Sequence, residues 1–471
     1  MYKVKLLLVF IFSTLNAQIS QIKYSLETKY IEVPLDHFAY IEEPNVFQLR
    51  YLINAEHYDE MGPIFIYTGG KGDISVQAQN AGFMFDIAST FKALLVFIEH
   101  RYYGESLPFG DTSFSSLKHL KYLSTSQALA DVAYVTKYLK TTFSEIEELQ
   151  PTVVVFGESY GGMLAAWLRM KYPYLVTGTI ASSAPIFDFP GLTECNTFYE
   201  KITDVYNKYG GQKCVEMIQR GWDIIAAALS KKKIGKDVLS ELKICSKIES
   251  TKDVEKVLNW LQNILVTLAM ANYNYPTNLY TPLPAYPVKV FCEKLTPYNE
   301  INNNSFIHHY SRALDFYTNY TGNNLCNNIN YINEDLTEFA WNYQKCTELI
   351  SPRCSTENDM FVTKPWNYEK YAHDCNARFG VKNVRPDWAT LAYGGEDLKY
   401  YSNIVFSNGD MEPWLTSSVV DNITNSIFSI NIPDTTNQVD LRQYNPADNN
   451  YVTETRNFHI RTIMQWLDGE N

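Results

Sequence analysis

The run Val153-Val154-Val155-Phe156, closed by Gly157-Glu158-Ser159-Tyr160-Gly161 and followed by the helix-forming stretch Gly162 to Met170, constrains this chain more than any other feature. An apolar run this short, ending in glycine, fits a strand buried on both faces of a parallel sheet. A serine set between such a strand and a helix, with glycine two residues away on either side, predicts a sharp turn with a strained backbone at the serine. Side chains at the flanking positions would clash, so glycine is required there. The serine then projects above the sheet at the positive end of a helix dipole, which suits an acyl-transfer nucleophile better than a simple helix cap.

Two further runs extend the pattern. Pro63 to Tyr67 precedes Gly69-Gly70-Lys71-Gly72, and Ala93 to Ile98 is apolar throughout. Ala128, Val132, Val135 and Leu139 share one helical face, opened by a cap at Ser124 or Thr125. Strand, helix, strand is the unit of a parallel sheet, so the fold class is α/β. The glycine loop lacks phosphate-loop spacing. Its Gly70 is well placed to supply a backbone N–H to a developing oxyanion, with the N–H of Tyr160 as the other donor. The strand pattern returns at Ile404 to Phe406 and Ile427 to Ile432, and a final helix is predicted from Val452 to Leu467. Between them lie all the cysteines, the run Lys231 to Lys233 and helical patterns such as Val254 to Met270. The predicted organisation is a core at 18–190, an inserted helical domain at 191–385 and the remainder of the core at 386–471.

With 471 residues, 46% of them hydrophobic, the chain can bury one large core and a second, smaller one. Forty Lys and Arg against 52 Asp and Glu give a net charge of -12, which argues against a nucleic acid partner. Residues 1–17 have a basic start, an apolar run from Leu6 to Phe12 and small residues ending at Ala17, the pattern of a secretory signal peptide. No later stretch approaches the roughly 18 apolar residues of a membrane span. An oxidising compartment makes the eight cysteines a set of four disulfides, and no CxxC pair suggests zinc, so no metal is expected. Sequons at Asn303, Asn319 and Asn422 fit N-glycosylation on exposed loops.

Glu99-His100-Arg101-Tyr102-Tyr103-Gly104-Glu105-Ser106, the elbow Gly157 to Gly162, Ser407-Asn408-Gly409 with Pro413-Trp414, and Val439-Asp440-Leu441-Arg442 follow in that order. Together they resemble the serine peptidase family of lysosomal Pro-X carboxypeptidase and dipeptidyl peptidase II. The resemblance implies an α/β-hydrolase core with a helical, disulfide-bonded cap. It implies the pairs Cys195 with Cys354, Cys214 with Cys292, Cys245 with Cys326, and Cys346 with Cys375. It also implies proline-containing peptides as partners, a secreted or lysosomal location, no cofactor and, by analogy alone, a homodimer. Trp341 and Trp414 become candidates to line a pocket for a flat proline ring.

Carrying the catalytic residues across places the nucleophile on Ser159 and the acid on Glu412, with Asp410 second to it. The histidine that the family has immediately before its leucine-aspartate-leucine-arginine stretch falls on Gln438, whose amide cannot take a proton near neutral pH. No histidine lies between His373 and His459. His459 is expected on the surface of the final helix, and His100 in a structural role. Leu415-Thr416-Ser417-Ser418 replaces a glycine-rich turn of the family, and Gly70-Lys71 replaces an Asn-Glu pair whose carboxylate contacts a substrate amino group in some members. Removing a triad histidine costs on the order of 10⁶ in kcat, so the expectation is a catalytically impaired member. The alternatives are an active exopeptidase with a substituted base, such as His100, and a secreted storage or interaction protein on the same scaffold.

Overall fold

The structure, a computed structural model, describes residues 24–40, 45–144, 150–229, 238–247, 249–279, 281–298, 303–329 and 336–469. The signal-peptide expectation at 1–17 and the lysine run at 231–233 lie outside these residues.

Among the described residues eight strands form one sheet: β1 (Glu27–Pro34), β2 (Val46–Asn54), β3 (Ile64–Thr68), β4 (Leu94–Ile98), β5 (Val153–Glu158), β6 (Gly178–Ser182), β7 (Ile404–Gly409) and β8 (Ile427–Ile432). Their spatial order is β1-β2-β4-β3-β5-β6-β7-β8. β1 and β2 pair antiparallel, as do β2 and β4, and every other neighbour is parallel. The apolar runs seen in the sequence are β3, β4, β5, β7 and β8, while β1, β2 and β6 gave no such signal. β1 is an edge strand with most side chains in contact with water, and β6 (Gly-Thr-Ile-Ala-Ser) is fully buried yet built mostly of small residues. The small residues have a steric cause, since a Cβ on Gly178 would sit 2.2 Å from the Trp466 ring.

Helices cover both faces. On one side α1 (Gly82–Phe91) packs its Phe83, Met84 and Ile87 against Phe65, Phe97 and Phe156. On the other, α2 (Thr125–Thr142) and α3 (Ser159–Lys171) bury Val132, Val135, Leu139 and Trp167 against Ile66, Val96 and Val155. Ser124 is the cap of α2, its hydroxyl accepting from the Gln127 N–H.

Between β6 and β7 a second helical body forms from α4 (Thr197–Gly210), α5 (Gln212–Leu229), α6 (Thr251–Met270), α7 (Pro287–Leu295) and α8 (Asn303–Thr318). It has its own core, from Ile202 and Tyr206 through Trp260 and Leu265 to Phe291, Tyr310 and Phe361. α9 (Leu336–Thr347) and α10 (Tyr368–Phe379) instead join Tyr102, Tyr103 and Leu120 of the sheet-bearing part in a smaller cluster. α11 (Asn450–Asp468) closes the chain against the sheet.

The disulfides are Cys195–Cys354, Cys214–Cys292, Cys245–Cys326 and Cys346–Cys375, the pairs that the resemblance implies. Among the described residues no helix is long and apolar enough to cross a membrane. Asn422 is exposed and Asn319 partly so, while Asn303 opens α8.

The turn between β5 and α3 leaves no room for extra carbon. Ser159 has a φ of +51°. A Cβ on Gly157 would meet the Gly161 carbonyl oxygen at 2.3 Å, and one on Gly161 would meet the Thr68 carbonyl oxygen at 2.5 Å. Gly161→Ala is therefore expected to destabilise the fold by about 1–3 kcal/mol. A thermal melt unchanged from the parent would contradict the packing described for this turn.

Candidate functional site

The elbow sets Ser159 at the C-terminal end of β5, facing a cavity of about 310 Å³. Tyr160, Met163, Phe189, Leu349, Trp341 and Trp414 give it largely apolar walls, and Lys345, Arg353 and Asp188 bring charge to it. Both tryptophans singled out from the sequence thus line the cavity that Ser159 lines. Trp341 packs on Tyr160 with ring centroids 5.2 Å apart, and Trp414 donates its indole N–H to the Ser183 carbonyl at 2.9 Å.

Ser159 Oγ has no hydrogen bond to another described residue. The backbone of Tyr160 follows it directly, as an oxyanion donor must. Gly70 lies against the same turn, since a Cβ on it would come within 2.9 Å of the Gly161 nitrogen. Its N–H, however, already donates to Gln77 Oε1 at 2.9 Å. The second oxyanion donor anticipated from the glycine loop is therefore engaged, and a substrate oxygen would have to displace the Gln77 carboxamide. Lys71 pairs with Glu338 and stands 6.0 Å from the Trp341 ring centroid.

Glu412 is fully buried just beyond β7. Its Oε2 accepts from the Gly409 N–H at 3.1 Å, while Oε1 has no partner among the described residues. Burial raises its carboxyl to about 8, and the Ser183 hydroxyl and Gly409 N–H offset this only partly. A triad acid works as a carboxylate that orients and stabilises an imidazolium, whereas this one is mostly neutral at neutral pH. Asp410 lies at the surface end of the same loop and faces Lys208 at 4.0 Å.

Gln438 has a φ of +51° and is buried. Its N–H donates to Ser183 Oγ at 2.7 Å. Its amide nitrogen, in the orientation that satisfies its neighbours, donates to the Glu158 carboxyl, and the amide also meets the Tyr273 hydroxyl. That contact is with the carboxyl preceding Ser159 in the chain, and Gln438 is not among the residues lining the cavity. The structure therefore brings Ser159, Tyr160, Trp341 and Trp414 together and aims the Gln438 side chain elsewhere. Asn437, also buried and passed over in the sequence, is the adjacent residue of the same loop, and its carbonyl accepts from Tyr273 Oη at 3.1 Å. Neither amide is a base.

The two buried histidines are committed elsewhere. His100 Nδ1 meets the Arg101 carbonyl at 2.6 Å, so Nδ1 carries the proton and Nε2 accepts from Tyr160 Oη at 2.9 Å. Burial depresses it to about 4, leaving a neutral structural imidazole. His459 corrects an expectation, because it is not on the surface. It is fully buried, with Nε2 2.9 Å from Asp440 Oδ2. Helical position alone did not reveal that this face of α11 turns toward the sheet. Burial by itself would raise Asp440, but His459 and the hydroxyls of Ser182 (2.6 Å) and Ser407 (2.7 Å) hold it below the usual carboxylate range.

Strand order and elbow are those of the α/β-hydrolase class, with a serine at the nucleophile position. The family described as serine carboxypeptidase S28 matches residues 33–459, and the chain belongs to it. It is 42% identical to the lysosomal Pro-X carboxypeptidase of Bos taurus over 451 residues, 95% of this chain and 88% of that one. It is 40% identical to the lysosomal Pro-X carboxypeptidase of Homo sapiens over 442 residues, covering 93% and 88%. Prolyl carboxy peptidase like protein 5 of Caenorhabditis elegans is 36% identical over 466 residues, covering 94% and 90%.

Glu348 and Glu412 are buried and Glu158 is partly so, and the desolvation of each lifts them to about 7 for Glu158 and Glu348 and about 8 for Glu412. The folded state thus binds protons that the unfolded chain releases near pH 4.5, and stability falls as pH rises from there through about 8. His100, held down to about 4, opposes this with one proton between 6.5 and 4. Asp131 and Asp440, kept low by Arg101 and His459, titrate below the window. Denaturant midpoints should accordingly fall between about pH 5 and pH 8, and Glu412→Gln should shrink the fall. Equal stability across that range would refute the raised carboxyls.

Proposed function

We propose that this chain is a catalytically impaired S28 member that binds proline-containing peptides in the cavity beside Ser159. One observation carries the reading: among the described residues no histidine lines the cavity beside Ser159, the loop on which the resemblance puts the base carries the amides Asn437 and Gln438, and both buried histidines are engaged elsewhere. A neutral Glu412 fits a site with no imidazolium to stabilise. The engagement of both His100 nitrogens speaks against that ring as a substitute base. The relatives named for Pro-X carboxypeptidase activity, together with Trp341 and Trp414 on the cavity wall, support a proline-containing ligand. Passage through the secretory pathway to a lysosomal or extracellular destination fits four disulfides and the lysosomal relatives.

A fluorophosphonate probe tests the reading. The parent is expected to label at Ser159 orders of magnitude more slowly than an intact serine peptidase, because no base activates the hydroxyl. Asn437→His and Gln438→His, each combined with Glu412→Asp, should be assayed beside it on a proline-containing peptide. Gain of turnover in one revertant, abolished by Ser159→Ala, is the expected result and identifies which position carries the base. Rapid, stoichiometric labelling of the parent would sink the proposal.

A further inference from the structure

The cavity beside Ser159 contains one charge that acyl transfer does not use. Lys345, on α9, lines it together with Arg353 and Asp188. The Arg353 guanidinium forks onto both Asp188 oxygens, at 2.7 and 2.6 Å, and Ser351 Oγ donates to the same carboxylate at 2.6 Å. Lys71 is paired with Glu338. These two pairs neutralise themselves. Lys71, Glu338, Arg353 and Asp188 are also the charged groups that face Lys345, so the uncompensated charge of the cluster is the Lys345 ammonium. It has no hydrogen bond or ion pair among the described residues.

The helix turn that presents Lys345 is fixed. The Lys345 carbonyl accepts from Tyr371 Oη at 2.7 Å, and the next residue, Cys346, is bonded to Cys375. The cavity that Lys345 lines is walled by Met163, Phe189, Leu349 and Trp341, and burial has cost the ammonium much of its hydration without gaining it a counter-charge. A proline ring supplies none. A carboxylate would, through a charge-assisted hydrogen bond in a water-poor site. Burial, together with the neighbouring cations, lowers Lys345 to about 8, which leaves it protonated at acidic and neutral pH.

We propose that this cavity recognises a peptide carboxylate, held by Lys345, in addition to apolar contacts with the two tryptophans. The inference rests on the reading of the cavity as a peptide site. Two sources share the chemistry: the C-terminal carboxylate of a short peptide, and the side chain of an aspartate or glutamate.

Titration calorimetry on the purified, disulfide-intact protein with three matched peptides separates them. These are N-acetyl-Ala-Pro-Phe with a free carboxylate, its C-terminal amide, and N-acetyl-Ala-Glu-Phe amide. At pH 6 one of the two carboxylate peptides should bind about tenfold or more tighter than the neutral amide. Which of the two does so names the source. The preference should vanish in Lys345→Met, persist in Lys345→Arg and shrink as pH rises past about 8. Melting curves of both variants should match the parent. Equal binding of all three peptides, or a preference that survives Lys345→Met, overturns the role of Lys345 alone. Failure of every peptide to bind overturns it together with the peptide-site reading.

Discussion

The Asp440 carboxylate holds the functional end of the sheet together. It accepts hydrogen bonds from Ser182 at the end of β6, from Ser407 in β7 and from His459 in α11. Arg456, one turn before His459, reaches the carbonyls of Val439 and Asp440 and pairs with Asp448 at 2.7 Å. Three elements distant in sequence are thereby fixed to one loop, and that loop carries Asn437 and Gln438. Such a network is costly to leave half-satisfied in a low-dielectric interior, so it holds its geometry whatever the neighbouring residues can do chemically. The loop stays where a catalytic base would stand although it carries none.

The same separation of scaffold from chemistry runs through the site. Strain at Ser159, the glycines around it and the contact of Trp341 with Tyr160 keep the architecture of an acyl-transfer site. Glu412 keeps its buried position with one oxygen unpartnered. The second oxyanion donor is satisfied by Gln77, and the Gln438 amide by Glu158. The Gly70 N–H and the Gln438 amide have thus found partners inside the protein, which lowers the cost of burying them.

How much of this was legible in the sequence depended on the kind of signal. Short apolar runs marked five strands, four of which are buried on both faces of the sheet. β6 escaped because close approach of Trp466 demands small residues, and β1 because an edge strand keeps polar side chains in water. Ser159, Trp341 and Trp414 came together as motif and resemblance implied. The direction of the Gln438 side chain did not follow from either, because a positive φ turns it away from the path an extended strand would set. Nor did the burial of His459, which depends on which face of α11 meets the sheet. Lys345 drew no notice at all, since a lysine on a helix is ordinarily a solvated residue.

The placement of the helical insertion has a consequence for biosynthesis. β6 and β7 are parallel neighbours, yet the roughly 220 residues between Ser182 and Ile404 must emerge before they can pair, which takes on the order of ten to forty seconds at ordinary synthesis rates. Throughout that interval the nascent sheet has β6 as an open edge, its backbone groups on that side unpaired. All four disulfides lie within the intervening segment, so oxidation can lock the insertion on itself while the sheet is unfinished. The sheet is thus finished only after its longest crossover has been made.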